Sequence, residues 1–257
     1  TRATPSVTDE EVVLEAIDSL QISGTLNLEG SLRVVSQSGV DLSNLRLLIT
    51  NADQRLVVDA RGDVLLGNTN PQAGDDSPTA TVLAADGSVT IETTGAVRVG
   101  YDGQIYSSGD DSFITIRARE ISIVGVVQAG ASFDTTNNIG VWSGNGADLT
   151  LRSDSIINIG GQGLDSENNY ALVSSPATVA ASGNLIVRAG TNINGSSLSI
   201  SEGSAIRADV TGGGNLTPRM VGDPAVAEFA TIELRAAGLV QNNGVIDAIG
   251  TTSTVTM

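Results

Sequence analysis

The chain has 257 residues, enough for one large all-β domain or two small ones, and its 13 Lys and Arg against 29 Asp and Glu give a net charge of −16. This negative field disfavours binding to DNA, RNA or anionic membrane surfaces, and no apolar stretch is long enough for a membrane span. Histidine and cysteine are absent, which excludes Ser-His-Asp and Cys-His catalysis, the usual zinc sites and disulfides.

The first predicted element lies near the amino end, in the stretch TDEEVVLEAIDSL. Thr8 and Glu11 have the spacing of a capping box. Apolar residues at helical spacing follow them: Val13, Ala16, Ile17 and Leu20. The pattern predicts a short helix that caps the fold, with a β-strand as the competing interpretation. Residues 1–29 are therefore assigned to an N-terminal cap or first coil.

A twelve-residue pattern then recurs along the chain. LVVDARGDVLLG, which begins at Leu56, has apolar residues at positions 1, 3, 9 and 11, with Gly at positions 7 and 12. Copies begin at residues 32, 56, 89, 114, 149, 185 and 232, and an extra copy at Leu198 is interpreted as a second face of the same unit. The closest starts, 24 residues apart at 32 and 56 and 25 apart at 89 and 114, indicate the basic unit.

This pattern predicts an all-β parallel β-helix over residues 30–257, a single domain expected to be part of a longer chain. Alternating apolar residues turn one face of each strand inward, and a single unit cannot bury that face alone, so the units must stack. Frequent Gly and only 3% aromatic residues fit such a core. A β-sandwich is the competing interpretation, although it does not need copies of one pattern.

Loops and corners are predicted between the copies. Residues 68–80, 160–182 and 209–230 are rich in Gly, Asn, Asp, Ser and Pro and are expected to be surface insertions. The tripeptide Arg61-Gly62-Asp63 matches an integrin-binding motif, but its Gly aligns with Gly95 and Gly238. We therefore interpret the tripeptide as a corner and expect a positive φ at Gly62, with integrin recognition as the alternative.

Charged residues recur beside the core positions. Each arginine of one set directly follows the first apolar pair of a copy: Arg117, Arg152, Arg188 and Arg235. In a stack of units these side chains should point outward along one edge. The row is either a solvated surface feature or a ligand-binding stripe.

Two GDDS segments carry paired carboxylates in Gly-containing loops, which can hold calcium. We predict a calcium site at Asp75, Asp76, Asp110 and Asp111, although Asp is also an ordinary turn residue. GGQGLDSEN, from Gly160, matches the start of a calcium-binding nonapeptide but lacks its apolar eighth residue and a tandem copy. Calcium is the one cofactor that the sequence suggests.

The segments ADLTLRSDSIINIGG, GNLIVRAGTNINGSS and ATIELRAAGLVQNNGVIDAIG resemble the repeats of filamentous-haemagglutinin-type large bacterial exoproteins. The resemblance covers roughly residues 30–250. It implies a right-handed parallel β-helix, an extracellular or bacterial cell-surface location, and a non-catalytic structural role in a fibre or adhesin rod. The expected partners are further coils or other copies, joined end to end, and glycans or proteins on host or neighbouring cells.

A polysaccharide-binding or polysaccharide-cleaving β-helix protein is the alternative function. Asp110 and Asp111 could serve as paired acids for glycosidic chemistry. Against cleavage, histidine is absent and Trp142 is the only tryptophan available for an aromatic platform.

Overall fold

The computed structural model describes residues 4–8, 11–67, 81–144, 146–164, 170–175, 177–190, 197–209, 231–249 and 254–257. Within these ranges the regular elements are all strands, and no helix is long and apolar enough to cross a membrane. In chain order they are β1 (Thr4–Thr8), β2 (Glu11–Ala16), β3 (Leu20–Gln21), β4 (Gly24–Leu28), β5 (Ser31–Ser36), β6 (Val40–Asp41), β7 (Leu45–Ile49), β8 (Leu56–Ala60), β9 (Val64–Leu66), β10 (Thr81–Ala85), β11 (Val89–Thr93), β12 (Ala96–Val99), β13 (Gly103–Ser107), β14 (Phe113–Ile123), β15 (Val126–Ala129), β16 (Ala131–Asp134), β17 (Ile139–Trp142), β18 (Asp148–Ile159), β19 (Gly161–Leu164), β20 (Tyr170–Ser175), β21 (Thr178–Ala181), β22 (Leu185–Ala189), β23 (Ser197–Ile200), β24 (Ala205–Asp209), β25 (Thr231–Ala236), β26 (Leu239–Asn242), β27 (Val245–Ile249) and β28 (Thr254–Thr256).

Most strands belong to a 16-stranded and an 8-stranded sheet. The larger sheet holds two parallel ladders. The first ladder runs β2, β5, β8, β11, β14, β18, β22 and β25, and the second runs β3, β6, β9, β12, β14, β18, β23 and β26, with β14 and β18 long enough to join both. The 8-stranded sheet is the third ladder, β4, β7, β10, β13, β15, β21, β24 and β27, and is also parallel.

The register of the first ladder matches the repeat read from the sequence. The predicted repeat starts are direct partners on neighbouring strands: Leu32, Leu56, Val89, Ile114, Leu149, Leu185 and Ile232. The extra copy at Leu198 pairs with Ile157 in the second ladder, as a second face requires. Parallel strands stacked in register are compatible with the predicted β-helix.

One large apolar core is shared by strands of all three ladders. Ile116, Leu151, Val187 and Leu234, predicted to face inward, are all fully buried in the described structure. Buried apolar residues alternate with more exposed residues along strands of the first ladder, so one face enters the core.

The predicted capping helix is wrong, because residues 11–16 form the strand β2. This strand pairs in parallel with β5 and antiparallel with β1, which satisfies its backbone groups on both sides. Val12 and Leu14 pack against the core, whereas Ile17, which the helical pattern would bury, is 81% exposed. A weak local helical pattern is overridden here by pairing with neighbouring strands.

The predicted loop at 160–182 is also wrong in part. Residues 178–181 form β21, a strand of the third ladder whose Val179 and Ala181 are fully buried. Ahead of it, β19 and β20 pair as an antiparallel hairpin. The other predicted insertions, 68–80 and 209–230, lie outside the described residues, except that Asp209 ends β24.

Candidate functional site

One outward position of the first ladder is charged in consecutive strands. It lies three residues after each repeat start, and its members are register partners: Asp59, Glu92, Arg117, Arg152, Arg188 and Arg235. All six side chains are exposed. We call this set the charged row. The predicted outward arginine row is therefore present, and two acidic residues that the sequence analysis did not single out extend it.

Ion pairs occupy both ends of the arginine run. Arg117 Nη1 lies 3.5 Å from Glu92 Oε1. Near the other end, Glu233 Oε1 accepts a hydrogen bond from Arg188 Nε at 2.7 Å and lies 3.1 Å from Arg235 Nε. The hydrogen bond from Arg188 is the main cause that lowers the pKa of Glu233, and the charges of Arg188 and Arg235 add to it.

Arg152 differs from its neighbours in the row. Among the described residues it has no hydrogen-bond acceptor or carboxylate within ion-pair distance. Its register partners on the two adjacent strands are Arg117 and Arg188, so like charges lie on both sides. Directly opposed like charges on neighbouring strands are destabilising.

A groove of about 450 Å³ lies beside this part of the row. Its lining residues are Asp59, Ala60, Glu92, Thr93, Thr94, Arg117, Ala118, Arg152 and Asp154. Local hydrogen bonds hold its walls. Thr94 Oγ1 donates to the Arg61 carbonyl at 2.7 Å, and Thr93 Oγ1 donates to the Gly62 carbonyl.

A β-bulge shapes the far side of the groove. The register between β14 and β18 shifts after Ala118, and Ser153 Oγ accepts a bond from Ser155 N–H at 3.0 Å while donating to the Ile156 carbonyl at 3.1 Å. The bulge adds one residue to β18 between Ser153 and Ile156, and Asp154 in this segment lies in the groove wall. The described residues of the groove lining combine arginine donors with carboxylate acceptors and include no aromatic residue.

The Arg61-Gly62-Asp63 segment is a corner between β8 and β9 that both neighbouring corners contact. Gly62 N–H donates to the Ser38 carbonyl at 2.8 Å, and Asp63 Oδ1 accepts from Ala96 N–H at 2.8 Å. The predicted positive φ at Gly62 is wrong. Glycine is needed because a Cβ would lie 2.7 Å from Gly39 N and 2.9 Å from the Ser38 carbonyl carbon.

The predicted calcium residues are only partly described. Asp75 and Asp76 lie outside the described residues. Asp110 and Asp111 form a turn before β14, and Asp111 adopts a left-handed φ of 55°, which Asp tolerates in turns. No group of three or more potential metal ligands occurs in the described part of the chain. In GGQGLDSEN, Gly161–Leu164 form β19 and residues 165–168 are not described. Calcium binding stays a prediction.

A second, smaller core covers the outward face of the third ladder. The hairpin of β16 and β17 packs Trp142 and Phe133 near Tyr106, whose ring stacks on Phe133 at 5.7 Å between centroids. Burial raises the pKa of the Tyr106 hydroxyl, which donates to Gln104 Oε1 at 2.8 Å. The sequence analysis missed this cluster, because the hairpin lies in a segment without the repeat pattern.

No family model, curated protein or solved structure matches this chain at a significant level.

Proposed function

We propose that the chain is a right-handed parallel β-helix and a non-catalytic structural segment of an extracellular bacterial surface fibre or adhesin rod. The observation that carries this proposal is the in-register parallel pairing of equivalent strands in all three ladders. Each layer binds the next through main-chain hydrogen bonds and apolar stacking, so layers can be added to lengthen a rod. Right-handed connections are the strong preference for parallel strands.

The surface formed by β25 to β28 supports stacking onto further β-structure. Val255 pairs with the buried Ile232 yet is 42% exposed, and Val240 and Ile246 are only partly buried. Within the described residues, β26 and β27 each pair with one strand. Unpaired strand edges readily bind another strand, so we propose that further coils or a second copy bind here.

The proposed location is the bacterial surface or the extracellular medium, and the proposed partners of the rod are surface glycans or proteins of neighbouring or host cells. The resemblance of the repeats to large bacterial exoproteins supports both proposals. The absence of histidine and cysteine agrees with a non-catalytic role, because common general bases and nucleophiles are then missing.

Sedimentation velocity over a wide range of protein concentrations, with negative-stain electron microscopy, tests assembly. We expect rods that lengthen with concentration, and we expect Val255→Lys to abolish them. Ile139→Lys is the matched control, since Ile139 is 49% exposed but lies on the β16–β17 hairpin. A chain that stays monomeric, together with source cells that show no extended surface protein in immunogold labelling, would contradict the proposal.

Polysaccharide binding is the second candidate function, and the groove beside the charged row favours it. Its exposed carboxylates and guanidinium groups offer acceptors and donors to a ligand rich in hydroxyl groups. Reducing-end release from polysaccharides tests the cleaving alternative. Any release by the purified chain would contradict the non-catalytic proposal.

A further inference from the structure

We propose that the groove beside the charged row binds an acidic polysaccharide and that Arg152, with Arg117, holds a sugar carboxylate. This inference deepens the second candidate function, on which it rests, and it is independent of assembly into a fibre.

The position of Arg152 carries the inference. Arg117 and Arg188 each have a glutamate partner, but Arg152 lies between them without one in the described structure. An arginine with like charges on both sides lowers stability unless an anion neutralises it. A carboxylate is suited to this position, because the planar guanidinium donates two parallel hydrogen bonds to it.

Arg117 is placed to assist. Its strand is the direct neighbour of the Arg152 strand, at the usual separation of about 4.8 Å, and both side chains line the groove. The ion pair that Arg117 makes with Glu92 is exposed, with 54% and 49% of the two side chains accessible. Such a pair is weak, so a ligand carboxylate can compete with Glu92 for Arg117.

The acidic residues of the groove select the rest of the ligand. Asp59 and Asp154 have no hydrogen-bond donor or cation partner among the described residues. Carboxylates accept hydrogen bonds from hydroxyl groups but repel a ligand of high charge density that has no hydroxyl donors, such as polyphosphate. A sugar chain presents both hydroxyl groups and carboxylates, so it matches this mixture of acceptors and donors.

The direction of the groove agrees with a chain-like ligand. Asp59, Glu92, Arg117 and Arg152 lie on four successive strands at one register position, a distance of about 14 Å at the usual strand spacing. A ligand in the groove would therefore cross the strands and contact several sugar-sized positions. The lining residues that the structure describes include no aromatic ring, which disfavours ligands that bind mainly by stacking.

Calorimetric titration with three probes tests the proposal: oligogalacturonate, the same oligomer as its methyl ester, and tripolyphosphate. We expect oligogalacturonate to bind, and we expect the ester and tripolyphosphate to bind at least about tenfold more weakly, as for loss of a charge-assisted hydrogen bond. Arg152→Gln should weaken oligogalacturonate binding by a similar factor. Added salt should weaken it further.

Arg98→Gln is the matched control. Arg98 is a half-buried residue of β12 outside the groove lining, and its loss changes the net charge equally. Binding by this variant should stay within about twofold of the parent. The melting temperature of Arg152→Gln should equal or exceed that of the parent, because a like-charge contact is removed.

Four results would overturn the inference: equal binding of acid and ester, tighter binding of tripolyphosphate, an equal loss with Arg98→Gln, or a lower melting temperature for Arg152→Gln. Equal binding of acid and ester would leave polysaccharide binding itself in place. Failure of both oligosaccharides to bind would remove the second candidate function as well.

Discussion

The outward faces of the two large sheets differ. The face of the 16-stranded sheet carries the charged row, whose six side chains are exposed. The face of the 8-stranded sheet is partly covered by the β16–β17 hairpin, which buries Tyr106, Gln128 and Ala180 on that side. The same backbone arrangement thus supports one open, charged face and one partly covered face.

The comparison shows that strands of the third ladder are buried on both faces only where the β16–β17 hairpin packs against them. Trp142 closes the second core from the hairpin. Neither Trp142 Nε1 nor Gln128 Nε2 finds a hydrogen-bond acceptor in the described structure. Unpaired buried donors cost stability, so packing of the rings must outweigh that cost. The open face has no such requirement, because water solvates its charges.

The largest expected effect comes from the core that both sheets share. Leu151→Asp would bury an unpaired charge at a fully buried site, at a cost of about 4 kcal/mol or more. We expect the cooperative thermal transition to be lost in circular dichroism. Thr150→Asp is the matched control, because Thr150 is adjacent and lies outside the core. Equal melting of Leu151→Asp and the parent would refute the inward assignment.

Truncation of Trp142 should destabilise only the packing on the outward face of the 8-stranded sheet. Trp142→Ala deletes most of a side chain that is 7% exposed, and we expect a loss of about 3 kcal/mol in urea unfolding. Trp142→Phe keeps a ring but removes the unpaired N–H, so it should cost less than half as much. If Trp142→Ala left stability unchanged, the hairpin would not serve as a cover.

Substitution of Gly62, at the corner between β8 and β9, should have an intermediate effect on the free energy of unfolding. Gly62→Val places a branched side chain against the backbone of Gly39 and Ser38, and we expect a loss of about 2 kcal/mol from overpacking. Ser38→Val, at an exposed neighbouring corner position, is the control. Asp63→Asn should be milder than Gly62→Val, since its side-chain oxygen can still accept from Ala96 N–H. Equal stability of Gly62→Val and the parent would contradict the close approach.

The smallest effect concerns the ion pairs of the open face. The hydrogen bond from Arg188 is the main cause that lowers the pKa of Glu233 in the folded state. The stability that the Glu233 carboxylate contributes is therefore present above its unfolded-state pKa and is lost as the pH falls through its folded-state pKa. With Arg188 and Arg235 well exposed, we expect Glu233→Gln to cost about 0.5–1 kcal/mol at pH 7.

Urea unfolding at several pH values checks this prediction. The difference between Glu233→Gln and the parent should shrink as the pH falls toward about 3, below the usual carboxyl pKa. Glu202→Gln, in an exposed turn, should show no comparable difference at pH 7. A constant difference across this range would mean that packing, rather than charge, explains the loss.

The first two ladders could be predicted from sequence because their apolar residues alternate strongly, as in Val89 and Ile91 or Leu149 and Leu151. The arginines of the charged row followed from the same alignment. Its acidic members, Asp59 and Glu92, stand at the same offset but were not singled out. Only the bulge that brings Asp154 into the groove had no visible signal.

The third ladder was mostly missed because its strands, such as VVQA in β15 and TVAA in β21, are short and rich in small residues. Where the hairpin buries their outward side, polar and apolar residues no longer alternate by face. The N-terminal segment shows a different limit. Its local pattern allows helix or strand, and pairing with β1 and β5 decides the outcome.

The glycine corners bear on how such a chain can change in evolution and in the laboratory. Gly39, Gly62 and Gly95 leave no room at the turn between the first and second ladders, so length changes are disfavoured there. In chain order, longer connections follow β9 and β24, which join the second ladder to the third and the third ladder to the first. New peptide segments grafted into these connections should therefore be tolerated better than insertions at the glycine corners.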